Sequence, residues 1–305
     1  MKKVALLLGA LSLVSSVAYA KEVVPAVEEV VVVEEVTPVA AAPALTVTNF
    51  GQFVEVDNTS GGQNIGEEVH FGTNVGLAYD DWTFDLMARK TWSMDTHDGI
   101  YSAGHRIDMV AMKNYENFSI GAKWRQEEKY DRFLAKFKYS YGMFSGWVDA
   151  GYQTNNTKDT NDGWYSEGIP VAVTVGPLTV GYYYEWDRAI NPSVNEDKYG
   201  YEGTLTHQVR AWAPLYTGEK LTVGAEYRYQ FAQDKDYKKA VKETNWQEET
   251  RHIANLNASY ALTENLSIDG YYQYEWKDFE GHSGAKDSKS DRYYGEFCIG
   301  WNYTF

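Results

Sequence analysis

From Leu45 onward, apolar and polar residues alternate with a period of two. In residues 178–186, Leu178, Val180, Tyr182, Tyr184 and Trp186 share one face, and Thr179, Gly181, Tyr183 and Glu185 share the other. Residues 221–231 repeat the pattern, setting Leu221, Val223, Ala225, Tyr227, Tyr229 and Phe231 against Thr222, Gly224, Glu226, Arg228 and Gln230. Residues 266–276 do so again, with Leu266, Ile268, Gly270, Tyr272, Tyr274 and Trp276 against Ser267, Asp269, Tyr271, Gln273 and Glu275. Successive side chains of an extended chain point to opposite faces, so each run predicts a strand with one apolar side. A soluble sandwich would also alternate. These runs, however, span about ten residues and close in aromatic side chains, as strands that cross lipid require.

Fourteen strands are predicted, near 45–56, 67–79, 82–94, 103–114, 117–126, 131–141, 146–154, 163–175, 178–187, 198–213, 221–233, 247–262, 266–277 and 291–305. Their connections alternate in kind. Asp80-Asp81, Tyr115-Glu116, Gly142 to Ser145, Gly176-Pro177, Pro214 to Lys220 and Thr263 to Asn265 are mostly tight. Those at 57–66, 95–102, 127–130, 155–162, 188–197, 234–246 and 278–290 are mostly longer and polar. Short turns on one side, longer loops on the other and an even strand count predict an all-β, transmembrane, antiparallel up-and-down β-barrel. Its turns would be periplasmic and its loops extracellular.

The ends of the chain carry sorting signals. Lys2 and Lys3 precede an apolar run from Val4 to Val17, and Ala18-Tyr19-Ala20 follows as a small-x-small cleavage site. This predicts a signal peptide over 1–20, cleaved after Ala20. Residues 21–44 hold only Val, Ala, Pro, Glu, Thr and one Lys, and read as an acidic periplasmic tether before a barrel over 45–305. Glu28, Glu29, Glu34 and Glu35 there could instead meet a basic partner. At the other end Tyr293, Gly295, Phe297, Ile299, Trp301, Tyr303 and Phe305 share one face. Tyr303 and Phe305 are therefore the expected signal to the outer-membrane barrel-assembly machinery.

Composition narrows the classes further. A net charge of −15, or −17 without Lys2 and Lys3, excludes the basic footprint that nucleic acid needs. The lone Cys298 allows no disulfide within the chain. Twenty-five Tyr, 10 Trp and 12 Phe suit strands that border a lipid interface.

The opening MKKVALLLGALSLVSSVAYAKEVVP, the acidic Val/Pro/Glu segment and the closing GWNYTF resemble the fusobacterial major outer-membrane porins of the FomA type. The likeness is close over residues 1 to about 35 and architectural beyond. It implies a general porin and transfers no site residue. The strand count also resembles that of the monomeric OmpG-type porins.

If apolar residues face lipid, the opposite face lines the interior. It would hold Arg89, Arg106, Asp108, Lys123, Arg125, Lys136, Lys138, Glu185, Glu202, Glu226, Asp269, Glu275 and Glu296 as pore-lining residues, with Asp85, Asp149, Arg210, Arg228, Arg251 and Arg292. Buried dry and unpaired, each would cost several kcal/mol, so the interior is either wet or laced with salt bridges. Fourteen tilted strands about 4.8 Å apart enclose a cylinder roughly 28 Å across, leaving a gap on the order of 15 Å, which favours water. A basic wall over 82–141 would face a more acidic one over 178–305, unless the charges pair within each wall. Asp108 is the expected counter-charge of Lys123, which would leave Arg125, Lys136 and Lys138 unpaired.

His207 falls on the lipid face, and Pro170 interrupts a strand and predicts a bulge or a weakened ladder position. An outward histidine would suit a membrane phospholipase, but no serine lies in phase with His207 on its strand. No metal spacing links the six His residues, and no cofactor motif appears. The expected protein is thus a porin without enzymatic activity, passing ions and small hydrophilic solutes as a monomer or homotrimer. A sugar-specific channel is the first alternative, with Tyr183, Trp212, Tyr271 and Tyr294 stacking on rings. An adhesin or structural barrel is the second.

Overall fold

The computed structural model describes residues 43–57, 67–95, 99–156, 162–190, 201–237, 247–281 and 293–305. The predicted signal peptide, nearly all of the predicted tether, most of the long loops and Arg292 lie outside the described residues. Fourteen strands follow one another: β1 (Thr46–Asp57), β2 (Glu68–Tyr79), β3 (Trp82–Asp95), β4 (Gly99–Asn114), β5 (Phe118–Glu127), β6 (Tyr130–Tyr141), β7 (Phe144–Asn155), β8 (Gly163–Val175), β9 (Leu178–Ala189), β10 (Tyr201–Thr217), β11 (Leu221–Tyr237), β12 (Gln247–Ala261), β13 (Leu266–Gly281) and β14 (Tyr293–Thr304). Each pairs antiparallel with its sequence neighbours, and β1 pairs with β14 to close the barrel.

The tight turns at one end use the residues that a hairpin demands. Asp80, Gly142 and Gly176 hold φ of 54°, 60° and 59°, the left-handed region open to Gly and tolerated by Asp. Both chain termini of the barrel lie at this turn end. The longer connections gather at the other, the loop end.

Several boundaries differ from expectation. β4 begins at Gly99 rather than 103, β11 and β13 run on to Tyr237 and Gly281 rather than 233 and 277, and β10 spans Tyr201–Thr217 rather than 198–213, passing through Pro214. Proline lacks the ladder N–H, and the strand accommodates it by a register shift between Pro214 and Tyr216. Pro170 does sit at a bulge. Register shifts fall between Ser145 and Trp147 on the β7 side and between Gly168 and Val171 on the β9 side.

The two faces differ as the alternation requires. On β14 the outward Phe297, Ile299, Trp301 and Tyr303 are 42%, 48%, 37% and 39% exposed, whereas the inward Cys298 is 9% exposed. Outward aromatics form two girdles. Near the loop end, Tyr182 and Phe231 flank His207, while Tyr229 and Trp276 stack on His252 at 4.8 and 5.1 Å. Near the turn end, Phe50 packs on Trp301 at 5.5 Å, Tyr115 on Phe118 at 4.6 Å, and Tyr303 on Phe305 at 4.9 Å.

The inner wall as the candidate functional site

Strand register fixes which side chains share the inner wall, because directly opposed residues lie on one face. The ladder Arg89–Arg106–Glu127 continues through Asp108–Arg125–Arg132 and Val110–Lys123–Leu134 to Lys136–Asp149–Glu167–Glu185. Beyond it come Thr206, Gln208 and Arg210, then Glu226, Arg228 and Gln230, then Arg251 and Ile253. Asp269, Gln273 and Glu275 follow, and Glu296 returns the path to Asp57 and Glu55. Asp85 and Lys138 lie on this face nearer the turn end, and Glu202 lies near the loop end, ion-paired with Arg188 at 3.1 Å.

The pairing departs from expectation. Asp108 binds Arg125, whose Nε donates to Oδ1 at 3.0 Å, and Arg106, whose Nη2 donates to Oδ2 at 2.6 Å. Lys123 instead reaches Asp149 at 3.5 Å and Glu167 at 3.7 Å. The cause is the turn after β4. Its two central residues are Glu116 and Asn117, closed by the Tyr115 amide donating to the Phe118 carbonyl, so Asp108 faces Arg125 and not Lys123. The expected turn at Tyr115-Glu116, one residue earlier, would have placed Lys123 there. Lys136 is not unpaired either: it donates to both carboxylate oxygens of Asp149 at 2.7 Å. Of the three cations expected to stand alone, Lys138 is the one left exposed, with Asp85 as its electrostatic neighbour.

The charged wall therefore has structure. The cations of β3 to β6 are bordered on one flank by Glu55, which takes a hydrogen bond from Arg89 at 3.0 Å. On the other flank stand Asp149 and Glu167. Lys136 and Lys123 converge on Asp149, whose side chain is 1% exposed. Further round, Arg228 pairs with Glu226 at 2.7 Å, and Arg251 and Lys277 share Glu275 at 3.3 and 3.2 Å. Among the described residues, these pairs join positions on one strand or on strands close together along the wall. The widest of them, Lys123 to Glu167, spans β5 to β8, whereas opposite walls of this barrel stand seven strands apart.

Two of the inner aromatic rings are covered by cations. The Arg210 guanidinium lies 3.5 Å over the Tyr183 ring, and that of Arg132 lies 3.5 Å over Tyr165. Tyr271 donates to Glu55 at 2.7 Å and also to Glu296. Trp212 packs with Trp147 against a small apolar cluster of Ile169, Ala172 and Tyr183. Glu55, His70, Arg132, Tyr165 and Glu167 thus belong to the wall although the sequence reading passed over them. Phase alone could have found two of them. Arg132 is in step with Lys136 and Lys138, and Glu55 with Asp57 between Val54 and Val56.

Among solved structures, the chain is similar to a bacterial polysaccharide outer-membrane secretin, at a TM-score of 0.53 and 8% identity over 85% of this chain and 98% of that one. The barrel shares the fold of an outer-membrane protein. It is also similar to the outer-membrane channel DcaP of Acinetobacter baumannii, at 0.44 and 12% identity over 87% and 98%. A third likeness is to an anion-selective porin from Comamonas acidovorans, at 0.41 and 12% identity over 86% and 100%. No family model matches the chain, and no curated protein does. His207 points outward as expected, its Nδ1 sharing a hydrogen bond with the Tyr182 hydroxyl at 2.6 Å.

Proposed function

We propose that the protein is an outer-membrane porin, a water-filled channel for passive diffusion of ions and small hydrophilic solutes, and not a catalyst. The observation that carries this reading is the direction of the inner ion pairs. A barrel sealed by its own charges would need bridges between opposed walls, whereas these run between strands one to three apart. Cations and carboxylates held flat against the wall leave the axis to water, which solvates them. The aromatic girdles on the outside suit a bilayer. The sequence likeness to FomA-type porins points the same way, and delivery by a signal peptide cleaved after Ala20 accords with it.

The sugar-specific alternative is weaker, because groups it would use are engaged: the Tyr183 ring face lies under Arg210, and the Tyr271 hydroxyl is bonded to two carboxylates. Single-channel recording of the folded barrel in planar bilayers tests both readings. Stepwise conductance that rises with salt and is unaffected by oligosaccharides is expected. A folded, inserted barrel that gives no conductance steps overturns the porin, and persistent block by a sugar moves the reading to the specific channel.

A further inference from the structure

Where β1 and β2 reach the loop end, the inner wall gathers carboxylates round one histidine. His70 opposes Glu55 across the β1–β2 ladder, and its side chain is 2% exposed. Its Nε2 lies 2.9 Å from Asp57 Oδ2, 3.7 Å from Glu68 Oε2 and 3.8 Å from Glu55 Oε1. Its Nδ1 lies 2.7 Å from Thr91 Oγ1 on β3. Asp57 Oδ1 is buried and, among the described residues, has no hydrogen-bond partner.

We propose that His70, Asp57 and Glu55, with Glu68 as a fourth donor, form a binding site for a divalent transition-metal ion of the zinc class. Three features lead there. First, one imidazole nitrogen with carboxylate oxygens is a ligand set that zinc takes, at bonds of about 2.0–2.2 Å. Four ligands at that distance stand roughly 3.4 Å apart at the corners of a tetrahedron. The three separations from Nε2 bracket that edge, and the ligand atoms of Glu55, Asp57 and His70 all lie within 4.8 Å of one another.

Second, the ligands are held as metal ligands are held. A ligating histidine usually donates its other ring N–H to a neighbour that fixes its tautomer and tilt. Thr91 stands in that place, its hydroxyl oxygen 2.7 Å from Nδ1 and able to accept from an Nδ1–H once Nε2 binds the ion. Glu55 is steadied by Arg89 Nη1 at 3.0 Å and by the Tyr271 hydroxyl at 2.7 Å.

Third, charge is out of balance without an ion. Glu55, Asp57 and Glu68 surround the imidazole, and Tyr271 ties Glu296 to the same group. Arg89 is the cation paired with Glu55. A proton on Nε2 would offset one carboxylate, whereas a doubly charged ion would offset two and also engage the unpartnered Asp57 Oδ1. The site stands on wall geometry alone and does not depend on conduction.

Full-length, tag-free barrel folded in detergent is titrated with Zn²⁺ by calorimetry and with Co²⁺ by visible absorption. Saturable one-to-one binding with the strong visible bands of four-coordinate Co²⁺ is expected. His70→Gln should abolish it, and Thr91→Val should weaken it by roughly 10–100-fold. His207→Gln, on the outer face, should leave it unchanged. X-ray absorption of the zinc-loaded wild type, which needs no variant to fold, should show one imidazole among oxygen ligands. Lack of saturable binding, unaltered binding in a folded His70→Gln barrel, or a zinc shell without imidazole each overturns the site.

Discussion

The outer and inner faces of this barrel are built from alternate residues of the same strands, yet they answer to different solvents. Outside, single side chains stand alone: Ile299 and Phe297 on β14 touch neighbours but need no partner, because lipid accepts them. Inside, hardly any side chain stands alone. Asp149 serves two lysines, Asp108 two arginines, and Tyr271 two glutamates. The outer face is therefore specified by composition and the inner face by pairing. Tolerance to substitution should differ accordingly: the outer face should reject charge of any kind, and the inner face should reject the loss of a particular partner.

The sharpest way to break this contrast is at the most enclosed inner charge. Asp149→Ala removes the carboxylate shared by Lys123 and Lys136, and losing one side of a buried pair costs about 3–5 kcal/mol. The urea-unfolding midpoint in lipid vesicles should drop accordingly with the slope unchanged. A barrel as stable as wild type would mean that water already solvates both lysines.

Next in size is a matched pair of new cations. Ile299→Arg, at the mid-strand outer position, should destabilise by about 2–4 kcal/mol. Gln273→Lys, on the inner face with its amide 3.5 Å from Glu296, should cost less than the outer substitution, because the new ammonium can pair with that carboxylate. Equal costs for the two would erase the distinction between the faces.

Phe305 tests the outer face at its end. It is 67% exposed and meets Tyr303 edge to face, and its amide donates to the Thr48 carbonyl at 3.0 Å. Phe305→Asp is expected to lower assembled barrel in the membrane several-fold while export continues, read by heat-modifiable gel migration. Normal assembly would remove the C-terminal aromatic from any role as a signal.

The smallest effect on stability, and the most informative for conduction, belongs to Lys138. Exposed on the inner face, it should tolerate Lys138→Glu within about 0.5 kcal/mol. A wall charge acts on a passing ion by on the order of 1 kcal/mol in water. Reversal potential in a salt gradient should therefore shift toward cations, and the shift should fade in molar salt, where screening acts within about 3 Å. Unchanged selectivity at low salt would take Lys138 off the conducting path.

The strands were legible because alternation is a local property. The phase of β9, β11 and β13 is carried by residues two apart, and no distant contact is needed to read it. The pairing was not legible, because it depends on how far each strand slides past the next. A turn centred one residue further along, on Glu116-Asn117, moved Asp108 from Lys123 to Arg125. The His70 cluster lay further out of reach. Asp57, His70 and Thr91 meet only once β1, β2 and β3 are in register, and nothing in their spacing along the chain marks them as partners.

Thirteen of the joins between neighbouring strands are hairpins, which a growing chain can zip in order. The fourteenth is the seam. There Asn49 meets Thr304 and Asp57 meets Glu296, so the first strand waits for the last. Until that contact forms, β1 and β14 are open edges, able to recruit strands from other chains. Closure must also curl the whole sheet until its two edges meet, and contacts so distant in sequence form slowly. The seam is thus the kinetic bottleneck of the fold. Agents that shorten the wait, by holding the β1 edge or delivering β14 to it, should accelerate folding more than any gain in hairpin stability.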